Sequence, residues 1–116
     1  MKILITGAGG MLGTDLVSRL GADHQLVGTG RHPASHLEIP FHVADLAKSN
    51  VVQDLIASVR PEVVLHAAAM TDVDGCETRR FDALRDNLEV TRNVTEASNR
   101  LDTLVIFSAL ILFLME

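Results

Sequence analysis

Hydrophobic positions along this chain follow two alternating rhythms. Short unbroken apolar runs give way to stretches in which apolar residues return every three or four positions. Ile3-Leu4-Ile5 is the first run, and Lys2 to Thr6 reads as a strand buried on both faces. Met11 to Leu20 reads as a helix, with Leu12, Leu16 and Leu20 on one face, Asp15 and Arg19 outward, and Gly21 placed as its C-terminal cap. Gln25 to Thr29 is a second strand. A polar loop with two prolines, Gly30 to Pro40, leads to a third strand, Phe41 to Ala44, ending at Asp45. Lys48 to Val59 is helical, with Val52, Leu55, Ile56 and Val59 aligned, and Pro61 stops it. Glu62 to His66 is a fourth strand. Arg80 to Arg100 reads as a long helix with Ala83, Leu84, Leu88, Val94 and Ala97 as its inner side, and Leu104 to Phe107 as a fifth strand follows. Strands alternating with helices predict an α/β fold: a doubly wound parallel sheet with strand order 3-2-1-4-5.

The first strand meets the first helix through Thr6-Gly7-Ala8-Gly9-Gly10-Met11-Leu12-Gly13. A strand, a glycine turn and a helix form a phosphate-binding device, because the turn's free N–H groups and the positive end of the helix both face an anion. Gly7 permits a sharp exit from the strand, Gly10 a pyrophosphate close to the backbone, and Gly13 a helix close to the sheet. The i, i+3, i+6 spacing differs from the commoner G-x-G-x-x-G. A glycine turn without a ligand has the same composition. The position between strand and helix, inside a strand–helix–strand unit of about 30 residues, points to a dinucleotide and a Rossmann-like fold.

An acidic residue about 20 positions beyond such glycines grips the ribose 2′-hydroxyl of NAD. Here the corresponding stretch is Thr29-Gly30-Arg31-His32, with no acid. Arg31 follows the second strand directly, and its planar guanidinium suits a 2′-phosphate, so NADP is favoured over NAD. A solvated loop arginine is the competing account. Small residues Ala67-Ala68-Ala69 after the fourth strand leave room for a ligand against the sheet, or simply pack a helix.

Composition narrows the partners. With 116 residues and 47% hydrophobic residues, one domain with a real core is expected. A net charge of −5 without a basic cluster argues against nucleic acid. The single cysteine, Cys76, forms no internal disulfide and suits a reducing, cytoplasmic setting. His24, His32, His36, His42 and His66 lack metal-ligand spacing and are expected at surfaces or strand ends. Asp72, Asp74 and Glu77 could attract a cation. A solvated turn capping the next helix is preferred, because the EF-hand pattern is missing. No signal peptide is evident at the N-terminus. Leu104 to Met115 is apolar apart from Ser108, but shorter than the roughly 20 residues that cross a bilayer.

Three segments carry a family resemblance: Met1 to Gly13 (MKILITGAGGMLG), Arg60 to Glu77 (RPEVVLHAAAMTDVDGCE) and Asn87 to Ala97 (NLEVTRNVTEA). They resemble extended short-chain dehydrogenase/reductases, and within them the dTDP-4-dehydrorhamnose reductase group with its RmlD-like domain. The resemblance runs nearly to Ser108. It implies that Gly7, Gly10, Met11, Leu12 and Gly13 bind the pyrophosphate of NAD(P). Asp45 and Leu46 match the pair beside the adenine. Ala67, Ala68 and Ala69 match the segment along the nicotinamide-side ribose, and Asn87 an asparagine near the site.

The family passes hydride from NAD(P)H to a 4-keto nucleotide sugar in dTDP-rhamnose biosynthesis. A tyrosine of a Tyr-x-x-x-Lys motif, its pKa lowered by the lysine, donates the proton. These 116 residues contain no tyrosine, and their lysines are Lys2 and Lys48, far upstream. Ser108-Ala109-Leu110-Ile111-Leu112-Phe113 stands where the family has a Ser-Thr-Asp-like run, so Ser108 offers at most a hydroxyl. Val90 replaces a glycine usual in the long helix. The resemblance implies the cofactor-binding half of such a reductase: one domain over 1–116, an altered apolar tail over 109–116, no substrate-binding half, and no activity alone. A non-catalytic dinucleotide-binding regulatory subunit of the same fold is the alternative. The open fifth strand and the apolar tail predict self-association.

Overall fold

The computed structural model describes residues 1–67 and 80–107, the side chains of 80–86 excepted. Within them the elements run β1 (Lys2–Thr6), α1 (Met11–Leu20), β2 (Gln25–Gly30), β3 (Phe41–Val43), α2 (Ser49–Val59), β4 (Val63–His66), α3 (Arg80–Arg100) and β5 (Leu104–Phe107). The strands form one sheet in the order β3-β2-β1-β4-β5, every neighbouring pair parallel, as the alternation of strand and helix predicts.

Strand alternation divides the core between the two faces of this sheet. Leu4, Val27 and Val64 point to one side, where α2 contributes Val52, Leu55, Ile56 and Val59, and α3 contributes Val90, Val94 and Ala97. Ile3, Ile5 and Leu26 point to the other, joined by Leu16, Val17 and Leu20 of α1 and by Leu37 and Ile39 of the β2–β3 loop. Both faces of β1 are covered, which explains why its sequence is continuously apolar rather than alternating. Val90 is buried in the α2–α3 side of the core. That is the position at which the resemblance leads one to expect glycine.

Element ends differ from the sequence reading by a residue or so. β2 runs on to Gly30, β3 stops at Val43, α2 begins at Ser49 and β4 at Val63. Gly21 caps α1 as expected, yet in the right-handed conformation (φ −65°), with its N–H on Val17 O, so no left-handed freedom is used there. The left-handed cap belongs instead to Arg60, which ends α2 at φ 51° with Pro61 behind it. One core expectation fails. Leu88 is 70% exposed, because α3 turns Val90, Asn93, Val94, Ala97 and Ser98 inward. Leu88, two positions before Val90, is about 200° away around a helix of 3.6 residues per turn. Ala83 and Leu84 have side chains outside the described set. Among the described residues no helix is long and apolar enough to cross a membrane, and no three metal-ligating side chains cluster.

This partition predicts contrasting costs for two truncations. Ile56→Ala removes a fully buried side chain and should destabilise by about 2–5 kcal/mol. Leu88→Ala should stay within about 0.5 kcal/mol of the unaltered chain. Urea denaturation midpoints with unchanged slopes would check both. A large loss at Leu88 would show that its face is covered in the folded chain.

Candidate functional site at the carboxyl edge of the sheet

The chain leaves β1 for β2 and β3 on one side and returns for β4 and β5 on the other. The crevice where order reverses lies at the carboxyl ends of β1 and β4, the position at which open α/β sheets take ligands. The glycine turn leaves β1 at that point. Gly7 has φ 66°, a conformation glycine adopts without strain. Its N–H donates to Thr29 O at 2.8 Å, Ala8 N–H to the same oxygen at 3.3 Å, and Gly10 N–H to Gly7 O at 3.0 Å.

Three of the turn's donors are therefore taken, two by β2 and one within the turn, so fewer of its N–H groups are free than glycine content alone suggests. Gly9 N–H, within the turn, has no acceptor among the described residues, and the other open donors belong to the first turn of α1. Its N-cap, Gly10, supplies no side-chain cap, and Met11, Leu12 and Gly13 have no backbone acceptor among the described residues. Orphan N–H groups at a helix start are where an anion binds. Met11, 80% exposed, stands at the rim.

Gly13 has the most confined position. A Cβ there would overlap Gly7 O and lie 2.5 Å from Ala8 Cα. Gly10 is looser: a Cβ would sit 3.3 Å from Gly7 O, at an ordinary φ of −78°. So the positive φ lies at Gly7, the closest packing at Gly13, and Gly10 has modest room.

Arg31 and Asp45 follow β2 and β3, whose ends pair Gly30 with Val43. Their side chains approach to 4.0 Å between Nη2 and Oδ1, both about half exposed. Arg31 is thus not a solitary cation; Asp45 shares it. Leu46 is buried in the α2–α3 core, and its carbonyl accepts from Asn93 Nδ2 at 3.0 Å. Its side chain therefore belongs to the core and not to the crevice.

The residue that sequence reasoning undervalued is His66. It is a strand end, as expected, but 5% exposed. Its Nδ1 lies 2.7 Å from Thr6 Oγ1 and its Nε2 3.2 Å from Thr91 Oγ1, so it spans β1, β4 and α3. Its ring also meets Phe107 edge-on, with centroids 5.8 Å apart. Thr6 completes the link by accepting Ala67 N–H at Oγ1, 3.0 Å. Ala67, half-buried, is thereby held at the crevice wall. Asn87, also half-buried, is one helical turn before Thr91. The expectations for Ala68, Ala69, Asp72, Asp74, Cys76, Glu77, Ser108 and the tail fall outside the described residues.

Burial pushes the His66 pKa below the ordinary 6.5, since the imidazolium is poorly solvated there. The unfolded chain therefore takes up this proton more readily than the folded one. Stability from this source is complete above pH 6.5 and is lost as pH falls through the lower folded-state value. Urea midpoints should drop from about pH 7 to about pH 5. His66→Asn should start lower but decline less over that interval. Parallel declines in both chains would show that His66 carries none of the acid sensitivity.

With this geometry in place, comparison with known proteins is informative. The RmlD substrate binding domain family matches residues 1–113. A dTDP-4-dehydrorhamnose reductase from Aggregatibacter actinomycetemcomitans is 34% identical over 99 residues, covering 85% of this chain and 31% of that protein. The crystal structure of a hypothetical dTDP-4-dehydrorhamnose reductase from Sulfolobus tokodaii superposes with a TM-score of 0.80 at 34% identity, over 92% of this chain and 38% of the other. At 24% identity, the UDP-glucose 4-epimerase of Thermus thermophilus, solved in complex with NAD, has a TM-score of 0.82 over 89% of this chain and 35% of its own. The last supports the fold alone. The chain spans about a third of the length of these relatives. Family model, identity and fold agree, and the chain belongs to the RmlD substrate binding domain family.

Proposed function

We propose that these residues form the NAD(P)-binding part of a dTDP-4-dehydrorhamnose reductase-like oxidoreductase, which reduces a 4-keto nucleotide sugar. The observation that carries this reading is the set of open N–H groups on Met11, Leu12 and Gly13, beside Gly7 and Gly10 at the crevice. They suit a pyrophosphate. The relatives' names support the sugar chemistry and the reductase class. In this reading Asp45 and the Leu46 backbone lie along the adenine. Ala67, Ala68 and Ala69 line the far ribose, and Asn87 stands near it. NADP is preferred to NAD through Arg31. The reading treats 1–116 as one cofactor-binding domain, and places it in the cytoplasm.

The bound dinucleotide would supply hydride. This chain's residues would hold and orient it, but the ketone oxygen also needs a proton as it accepts hydride. No tyrosine is present, and a serine hydroxyl such as Ser108 is a poor acid at neutral pH. Calorimetry should therefore show NADP(H) binding that Gly10→Val weakens by tenfold or more, on the order of 1.4 kcal/mol, because the branched side chain intrudes on the phosphate side. NADPH oxidation with dTDP-4-dehydrorhamnose should stay at the enzyme-free rate. No binding by the unaltered chain would refute the cofactor reading. Turnover abolished by Gly10→Val would refute the catalytic one.

Self-association is proposed to run through β5, where Leu104, Ile106 and Phe107 are exposed on the outermost strand, and through the apolar stretch 109–116. Sedimentation should show oligomers that Ile106→Lys reduces. A monomer at high concentration for the unaltered chain would contradict this.

A further inference from the structure

The Arg31–Asp45 pair raises a question that the cofactor reading leaves open. Asp45 is held by its own loop: its Oδ1 accepts Ala47 N–H at 3.1 Å, and its carbonyl accepts Lys48 N–H at 3.1 Å. The carboxylate is thus fixed by the backbone that follows β3. Arg31 reaches the same Oδ1, at 4.0 Å, on a long flexible stem from the end of β2. Of the two, the arginine is free to swing and the carboxylate is not.

A 2′-phosphate approaching Arg31 would have to draw the guanidinium from Asp45 and would bring a second anion against a fixed one. A bare 2′-hydroxyl meets neither cost, and can donate to the carboxylate. Resting on the dinucleotide reading above, we propose that Asp45 is a specificity-determining residue: it competes with the 2′-phosphate for Arg31 and lowers the preference for 2′-phosphorylated dinucleotides. Arg31 sets the direction of the preference; Asp45 limits its size. Both side chains are about half exposed, at 54% and 46%, so solvent screens the coupling. The effect is accordingly about three- to fivefold, the upper range for exposed pairs.

The test measures the affinities of NADP+, NAD+ and 2′-AMP by calorimetry on the whole chain and on Asp45→Asn, Arg31→Ala and the double variant. Asparagine retains an oxygen for Ala47 N–H, and thermal midpoints confirm that each variant is folded. Asp45→Asn should raise the NADP+/NAD+ affinity ratio about three- to fivefold and tighten 2′-AMP by a similar factor. The gain should shrink below about twofold in the Arg31→Ala background and again in about 0.5 M salt. An unchanged NADP+/NAD+ ratio in a chain that binds both overturns this inference and leaves the site reading standing. So does an equal gain with Arg31 absent. If neither dinucleotide nor 2′-AMP binds any of the four chains, the site reading and the inference fall together.

Discussion

The approach of α1 to the exit of β1 is the constraint on which the site depends. Gly13 lies so close to the turn that a single added carbon would overlap Gly7 O and crowd Ala8. Because the helix starts there, the chain must reverse within four residues of Thr6, and Gly7 takes the left-handed conformation that allows it. The turn is then nested in β2. Gly7 and Ala8 both donate to Thr29 O, and the methyl of fully buried Ala8 sits over Gly28, where a Cβ would come within 2.9 Å. The turn thus uses the donors of Gly7, Ala8 and Gly10 and leaves those of Gly9 and of the first helical turn without a backbone acceptor among the described residues. The packing that brings helix and strand together therefore also decides which N–H groups remain for an anion.

A second consequence appears across the sheet. The register aligns His42 with Thr29, Thr29 with Thr6, Thr6 with His66, and His66 with Phe107. Below this row the strands are apolar. At its centre Thr29, Thr6 and His66 are polar while still buried, and each has a partner: Thr29 Oγ1 donates to His42 O at 2.7 Å, and Thr6 is linked to His66. A buried hydroxyl without a partner would cost about 1–3 kcal/mol, so these contacts act together rather than singly. The row forms a firm floor under the crevice, and Ala67 is attached to it through Thr6.

Most of the architecture was legible in the chain because it rests on local signals. Apolar runs of strand length, i/i+4 repeats, Pro61 and the glycine turn located every described element to within a residue or so. Legibility failed where burial is decided by distant partners. α3 is polar overall, and its inner face includes Asn93 and Ser98, which no hydrophobic pattern selects; Leu88, which the pattern does select, faces solvent. His66 looked like one of several scattered histidines because Thr6 and Thr91, which give it meaning, lie 60 and 25 residues away. Arg60 shows the same limit at short range: the left-handed cap of α2 falls on a residue whose type does not announce it, while Gly21, whose type does, remains right-handed.

The electrostatics of the site follow from its position rather than from the chain's overall charge. A net charge of −5 repels a dinucleotide at long range, so attraction has to arise at short range. Backbone donors at a helix start provide it without adding net charge, and they carry no information about the 2′ position. In the proposed reading that discrimination would fall to side chains at the ends of β2 and β3. An arginine alone there would favour the more highly charged cofactor strongly. The paired carboxylate changes the balance, because the same neighbour that orients the guanidinium also opposes the phosphate it would bind. In the proposed dinucleotide reading, binding of the shared pyrophosphate and choice between cofactors would thus reside in separate parts of one crevice: the first in backbone geometry imposed by Gly7 and Gly13, the second in a solvent-screened pair of charges that a single substitution would retune.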